Sequence, residues 1–192
     1  MPIIDHFGLL APLYEIFISP KDPEELSTLA DLPTSGALLD AGGGTGRVAQ
    51  FILEKAGHVV VADLSCKMLA EASQKEGLQP VCSPTEALPF PDNSFQRIIM
   101  VDALHHVLDH QMTINELWRL LAPGGIIVIE EPDISAFSVK LIAIAEKLAL
   151  MRSHFLPPSQ IAALFNFSDA CLKIQKNKST AFIIAKKQIP TG

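Results

Sequence analysis

Leu39-Asp40-Ala41-Gly42-Gly43-Gly44-Thr45-Gly46, followed by His58-Val59-Val60-Val61-Ala62-Asp63, joins an apolar strand, a glycine turn and a second strand that ends on a carboxylate. Glycines at 42, 44 and 46 allow a tight turn and let a ligand touch the main chain. Asp63, about 20 residues beyond the turn, is placed to accept hydrogen bonds from both hydroxyls of a ribose. The spacing decides which nucleoside. A dinucleotide fingerprint needs its last glycine where this chain has Arg47, and it serves to seat a pyrophosphate on a helix N-terminus. Here Asp40 closes the first strand. A carboxylate there repels a phosphate and suits a ligand that carries an ammonium or sulfonium. The competing reading is a glycine-rich turn that holds no ligand, which requires the glycines and both carboxylates to coincide.

The run 40–46 resembles motif I of the class I S-adenosylmethionine (SAM) methyltransferases. Later segments carry the same resemblance in the expected order. Ser83-Pro84-Thr85-Glu86-Ala87-Leu88-Pro89-Phe90-Pro91-Asp92-Asn93-Ser94-Phe95 is similar to the stretch after the third strand of that superfamily, and Asp102-Ala103-Leu104-His105-His106-Val107 to the end of its fourth strand. Glu116 to Glu130, with Pro123-Gly124-Gly125 at its centre, resembles the helix, turn and fifth strand. The resemblance spans roughly residues 36–131. It is strongest for the methyltransferase type 11 subgroup that includes the ubiquinone and menaquinone C-methyltransferases, whose N-terminal segment Asp5 to Tyr14 also resembles.

The implied fold is a Rossmann-like, doubly wound, mostly parallel seven-stranded sheet ending in an antiparallel pair. The residues agree with it. Continuous Val and Ile runs at 59–61, 98–101 and 126–129 read as strands buried on both faces, and they alternate with helices. Helices are expected over 46–55 and 65–75. At the end of the chain, 171–174 and 181–185 flank Asn177-Lys178-Ser179 as a hairpin. A single domain of 1–192 is expected, with a helical cap over 1–33, a SAM-binding core over 34–131, a helical lid over 132–167 and a terminal hairpin over 168–188. Leu10, Leu13, Tyr14 and Phe17 give the cap a helical stripe, followed by a short acidic helix near 24–30. Phe137, Leu141, Ile144, Leu148 and Met151 give the lid another. These apolar faces read as a lid or a dimer surface, and together as walls for a greasy substrate.

Composition narrows the partners. A formal net charge of −6 over 192 residues argues against DNA, RNA or an acidic membrane surface as substrate. A small-molecule acceptor is expected, with the protein a monomer or homodimer. Cys66, Cys82 and Cys171 lie far apart with no paired spacing, so the expectation is reduced, structural thiols and no metal site. No basic leader and no run of about 18 apolar residues is found, which predicts a cytoplasmic protein without stable membrane insertion.

Methyl transfer from a sulfonium is an in-line displacement that needs alignment and little water, and an acceptor hydroxyl or carbon also needs a base. By the resemblance, Asp40, Ala41, Gly42 and Gly44 lie on the methionyl part of SAM, Asp63 on its ribose and Leu64 on the adenine face. Thr85 and Glu86 border the adenine edge, and Asp102 and Ala103 line the same pocket. His105 and His106 open onto the acceptor, one of them the base candidate; the alternative is that both imidazoles only pack and cap. Tyr14, Glu131 and Asp133 are further acceptor-side candidates, with a structural role preferred.

Two positions depart from the family. Pro84 stands where an aspartate usually meets the adenine amino group and has neither side-chain acceptor nor amide donor. The Thr85 main chain is then expected to meet the adenine edge, with weakened adenine recognition. Gln96 replaces another aspartate, away from the ligand. The product would be S-adenosylhomocysteine. A catalytically silent SAM or S-adenosylhomocysteine binder is the alternative function, and an NAD-dependent oxidoreductase comes third.

Overall fold

The computed structural model describes residues 23–136, 139 and 153–190. Among them, seven strands form one sheet in the order β3-β2-β1-β4-β5-β7-β6. The strands are β1 (Thr34–Ala41), β2 (Ala56–Asp63), β3 (Leu78–Cys82), β4 (Phe95–Val101), β5 (Leu121–Pro132), β6 (Ala170–Asn177) and β7 (Thr180–Lys187). Strands β1 to β5 pair in parallel, whereas β7 runs antiparallel to both β5 and β6. The expected sheet and its antiparallel ending are therefore present.

Period-two alternation sends successive side chains to opposite faces, so each central strand feeds two cores. Leu39, Val60, Ile98, Ile127 and Ile183 face one layer, with Ile114, Leu117 and Trp118 of helix α4 (His110–Leu120) and Ile161 of α5 (Pro158–Ala163) packed on it. Leu38, Val59, Ile99, Val128 and Phe182 face the other. That layer is covered by Leu26 of α1 (Pro23–Leu29), Val48, Ala49 and Ile52 of α2 (Arg47–Ile52), and Leu69 and Ala72 of α3 (Cys66–Ala72). Leu38 and Leu39 have no exposed surface. Each such side chain contributes about 1.5–3 kcal/mol of hydrophobic stabilisation.

Several elements differ from their expected form. Helix α2 gives way to a 3-10 turn at Leu53–Lys55. Strand β5 begins at Leu121, and its Pro-Gly-Gly segment is an irregularity inside the strand: Phe95 pairs with Leu121 and Arg97 with Ile126, so the turn residues loop out between them. Gly124 has φ of 79° there, a conformation that favours glycine. Helix α1 packs on the second layer through Leu26, and its Glu25 accepts from Gln175 and Asn177 of β6. The expected helix over 7–18 and the stripe of Phe137, Leu141, Ile144, Leu148 and Met151 fall outside the described residues. Helix α5 starts with Pro158 in its first turn, where the missing amide costs nothing. Trp118 and Phe167 stack with ring centroids 4.8 Å apart, tying α4 to the segment before β6.

Candidate functional site

Because β1 lies between β2 and β4, the chain leaves β1 in one direction and β4 in the other, and a crevice opens at the C-terminal ends of these strands. The glycine turn fills its floor. Gly42, Gly44 and Gly46 have φ of 72°, 54° and 72°, and a β-carbon on Gly42 would stand 2.6 Å from that of Ala103. The Gly44 amide donates to Asp63 Oδ2 at 2.9 Å and the Ser65 amide to Oδ1 at 2.7 Å. Asp63 is thereby fixed with both oxygens at the mouth of β2, each still able to accept a hydroxyl. Ala41 is fully buried.

Asp40 is buried, and its Oδ2 has no hydrogen-bond partner among the described residues. Burial pushes its carboxyl up to about 7, opposed by the charge of Arg47, reinforced by that of Asp63 and opposed by the backbone hydrogen bond of Ala49. Asp102, on the other wall, has φ of 51° and pairs with Arg47 at 3.6 Å. Such a left-handed residue at a strand exit carries strain of the kind held at binding sites. Two carboxylates around one guanidinium, above a glycine floor, suit a ligand with a cationic end and a ribose. The ordinary reading of Arg47 as a mere obstacle to a dinucleotide missed its place between Asp40 and Asp102.

The wall beyond Asp63 is the proposed adenine side. Leu64 is 65% exposed, which removes core packing as its role and leaves an apolar side chain at the crevice rim. Thr85 is buried, its hydroxyl 3.4 Å from that of Thr113. Its side chain is thus directed into the protein. Glu86 uses its Oε1 to accept from the amides of Leu108 and Asp109, ahead of α4, so its carboxylate serves that loop. Gln96 lies at the opposite end of the sheet, accepting from the Ala37 amide at 2.9 Å. The cysteine expectation is corrected here: Cys66 and Cys82 form a disulfide, with Cα atoms 5.5 Å apart, and only Cys171 of the three is free. Spacing along the chain concealed the pair because parallel β2–β3 pairing brings Cys82 opposite Asp63, just before α3 begins. Among the described residues no cluster of metal-ligating side chains is found.

At the exit of β4, His105 and His106 occupy a 3-10 turn at Leu104–His106. His105 is buried and its Nδ1 lies 2.6 Å from Glu131 Oε2, while Glu131 Oε1 accepts from the Leu104 amide. Phe155 stacks on the His105 ring at 4.3 Å, and the His106 ring lies 3.9 Å from that of His105 between centroids. His106 contacts Ser153 at 3.4 Å, and burial followed by the proximity of His105 lowers its imidazole to about 3. Asp133, by contrast, is held by Lys176 at 2.7 Å and by Ser135, away from the crevice floor. Tyr14 lies outside the described residues. The His105–Glu131 link, made across two strands, has no signature in the linear sequence.

Comparisons with known proteins bear on the family and the fold. A methyltransferase-domain family matches residues 39–129. The ubiquinone/menaquinone biosynthesis C-methyltransferase UbiE of Coxiella burnetii is 30% identical over 172 aligned positions, which take in 74% of this chain and 69% of that one. A SAM-dependent methyltransferase structure from Thermotoga maritima superposes with a TM-score of 0.76 over 95% of this chain and 98% of its own, at 20% identity. The [4+2]-cyclase SpnF superposes with a TM-score of 0.77 over 96% and 94%, at 14% identity. These two structures share the fold.

Proposed function

The chain belongs to the S-adenosylmethionine-dependent methyltransferases, and on that premise we propose that it methylates a carbon atom of a small apolar or aromatic acceptor, with His105 and Glu131 acting as its proton-accepting pair. The Coxiella relative, named as a C-methyltransferase, supports carbon as the accepting atom. The observation that carries the reading is the buried His105–Glu131 pair beside the Asp102–Ala103 wall.

SAM supplies a methyl group on a positively charged sulfur, and S-adenosylhomocysteine is left when the carbon–sulfur bond breaks and the carbon–carbon bond forms. In this reading Asp40 faces the methionyl ammonium, Asp63 receives the ribose hydroxyls and Leu64 covers one adenine face. Glu131 accepts the Nδ1 proton of His105, which fixes the tautomer and leaves Nε2 to take the proton that the acceptor loses. His106, lowered to about 3, has too little proton affinity for that role. Phe155 and the segment around it exclude water from the imidazole.

His105→Asn and Glu131→Gln should each lower kcat, His105→Asn by roughly 100-fold. The SAM dissociation constant should stay nearly unchanged. Methyl transfer to a panel of phenols and hydroquinones measures both, with mass spectrometry locating the new carbon–carbon bond. Wild-type turnover in both variants would remove the pair from the mechanism. Pro84 favours a second reading, a binder that does not transfer, and SAM binding without methylation of any member of the panel is its signature.

A further inference from the structure

We propose that the Cys66–Cys82 disulfide is a cleavable clamp that holds the adenine end of the cofactor pocket in shape, in place of the carboxylate that Pro84 lacks. The proposal rests on adenine lying between Leu64 and Thr85. Its two ends sit on the two segments that would touch adenine. Cys66 follows Leu64 and Ser65 and opens α3, while Cys82 closes β3 immediately before Ser83-Pro84-Thr85. Among the described residues, strand β3 is the outermost parallel strand and pairs with β2 alone, so its C-terminal end has a neighbour on one side. In the turn that leaves it, the Ser83 amide donates to Asp63 O of β2 at 3.0 Å. Pro84 can add no amide of its own. A covalent tie from that end to the Asp63–Cys66 segment removes freedom that the cofactor would otherwise have to remove on binding. Both cysteines are exposed, which admits a reductant.

The step is thiol–disulfide exchange. A thiolate of a dithiol attacks one Sγ, the protein S–S bond breaks, and its electron pair stays on the other cysteine, which takes a proton. The second thiol of the reductant then displaces the first cysteine. The protein ends with two thiols, and the reductant leaves as a cyclic disulfide after giving up two electrons and two protons. A disulfide-class oxidant such as oxidised glutathione reverses the exchange.

The test is titration calorimetry of SAM against the full chain carrying Cys171→Ser, which removes the free cysteine, in the presence of oxidised glutathione or of dithiothreitol, with mass spectrometry counting the thiols. Reduction should weaken SAM binding about tenfold, the scale of ordering one further backbone residue. The affinity for adenosine alone should fall by a similar factor. Adding Cys66→Ser or Cys82→Ser should give the weaker affinity under both conditions; where a serine variant does not fold, the reduced parent chain gives the same reading. Equal affinities with the disulfide shown closed and then open would overturn the clamp. Asp63→Ala reports separately on the cofactor site: a loss of SAM binding there beside redox-independent binding in the parent chain would sink the clamp and leave the site standing.

Discussion

Asp40, in the proposed site, would tie cofactor binding to pH. Its carboxyl, raised from an ordinary 3.8 to about 7 chiefly by burial, holds a proton in the folded protein across a range where the unfolded chain has lost it. Its contribution to stability is therefore fully present below about pH 4 and is lost as pH rises through 7, by up to about 1.4 kcal/mol per unit. A bound ammonium reverses the preference, since it favours the ionised form. Below pH 7 SAM must displace that proton, so its affinity should rise up to about tenfold per unit between pH 5 and 7. Calorimetric titrations across that range measure this. Asp40→Asn should bind SAM more weakly and with a flat profile, and a flat profile in the wild-type protein would remove Asp40 from the ammonium site. Asp63→Ala deletes the acceptor of two hydroxyl hydrogen bonds, each contributing roughly 1.5–3 kcal/mol when the partner is charged, and SAM affinity should fall at least about tenfold. The positions of both carboxylates were legible in the sequence, because each stands at the end of an apolar strand at a fixed distance from the glycines. Arg47 and Glu131 were not legible as partners, since Arg47 meets Asp102, and Glu131 meets His105, only after strands distant in sequence are laid side by side.

At the scale of elements, the glycine turn works because its residues take left-handed backbone conformations beneath a close neighbour. Gly42→Ala would combine φ of 72° with a β-carbon 2.6 Å from that of Ala103. The left-handed conformation alone costs about 1–2 kcal/mol, which in a domain of this size lowers Tm by about 2–8 °C. Scanning calorimetry should show that drop, accompanied by weaker SAM binding; an unchanged Tm would mean that the turn can relax without cost. The central strands were readable as continuous Val and Ile runs because both of their faces are buried. Edges read less well. Strand β3, with Pro80 in it, presents little apolar pattern, and β6 is mostly exposed. The run through Pro123-Gly124-Gly125 read as a turn before a strand, whereas pairing with β4 on both sides of it makes it an irregularity within β5.

For the whole molecule, strand order decides where chemistry can occur. Placing β1 between β2 and β4 gathers Asp40, Asp63 and Asp102 at one end of the sheet, and the antiparallel β7 closes β5 on the far side. That architecture was foreseeable from the order of the motifs. The disulfide was not, because a separation of 16 residues becomes a contact only through the β2–β3 register. No helix among the described residues is long and apolar enough to cross a membrane. The central claim is that these strand ends hold SAM with its ribose on Asp63 and its methionyl end over Asp40. A crystal structure with S-adenosylhomocysteine tests it most directly. The account predicts both ribose hydroxyls within hydrogen-bond distance of the Asp63 carboxylate and the amino group beside Asp40; a ribose bound elsewhere, or a ligand lying in the reverse direction, would contradict it.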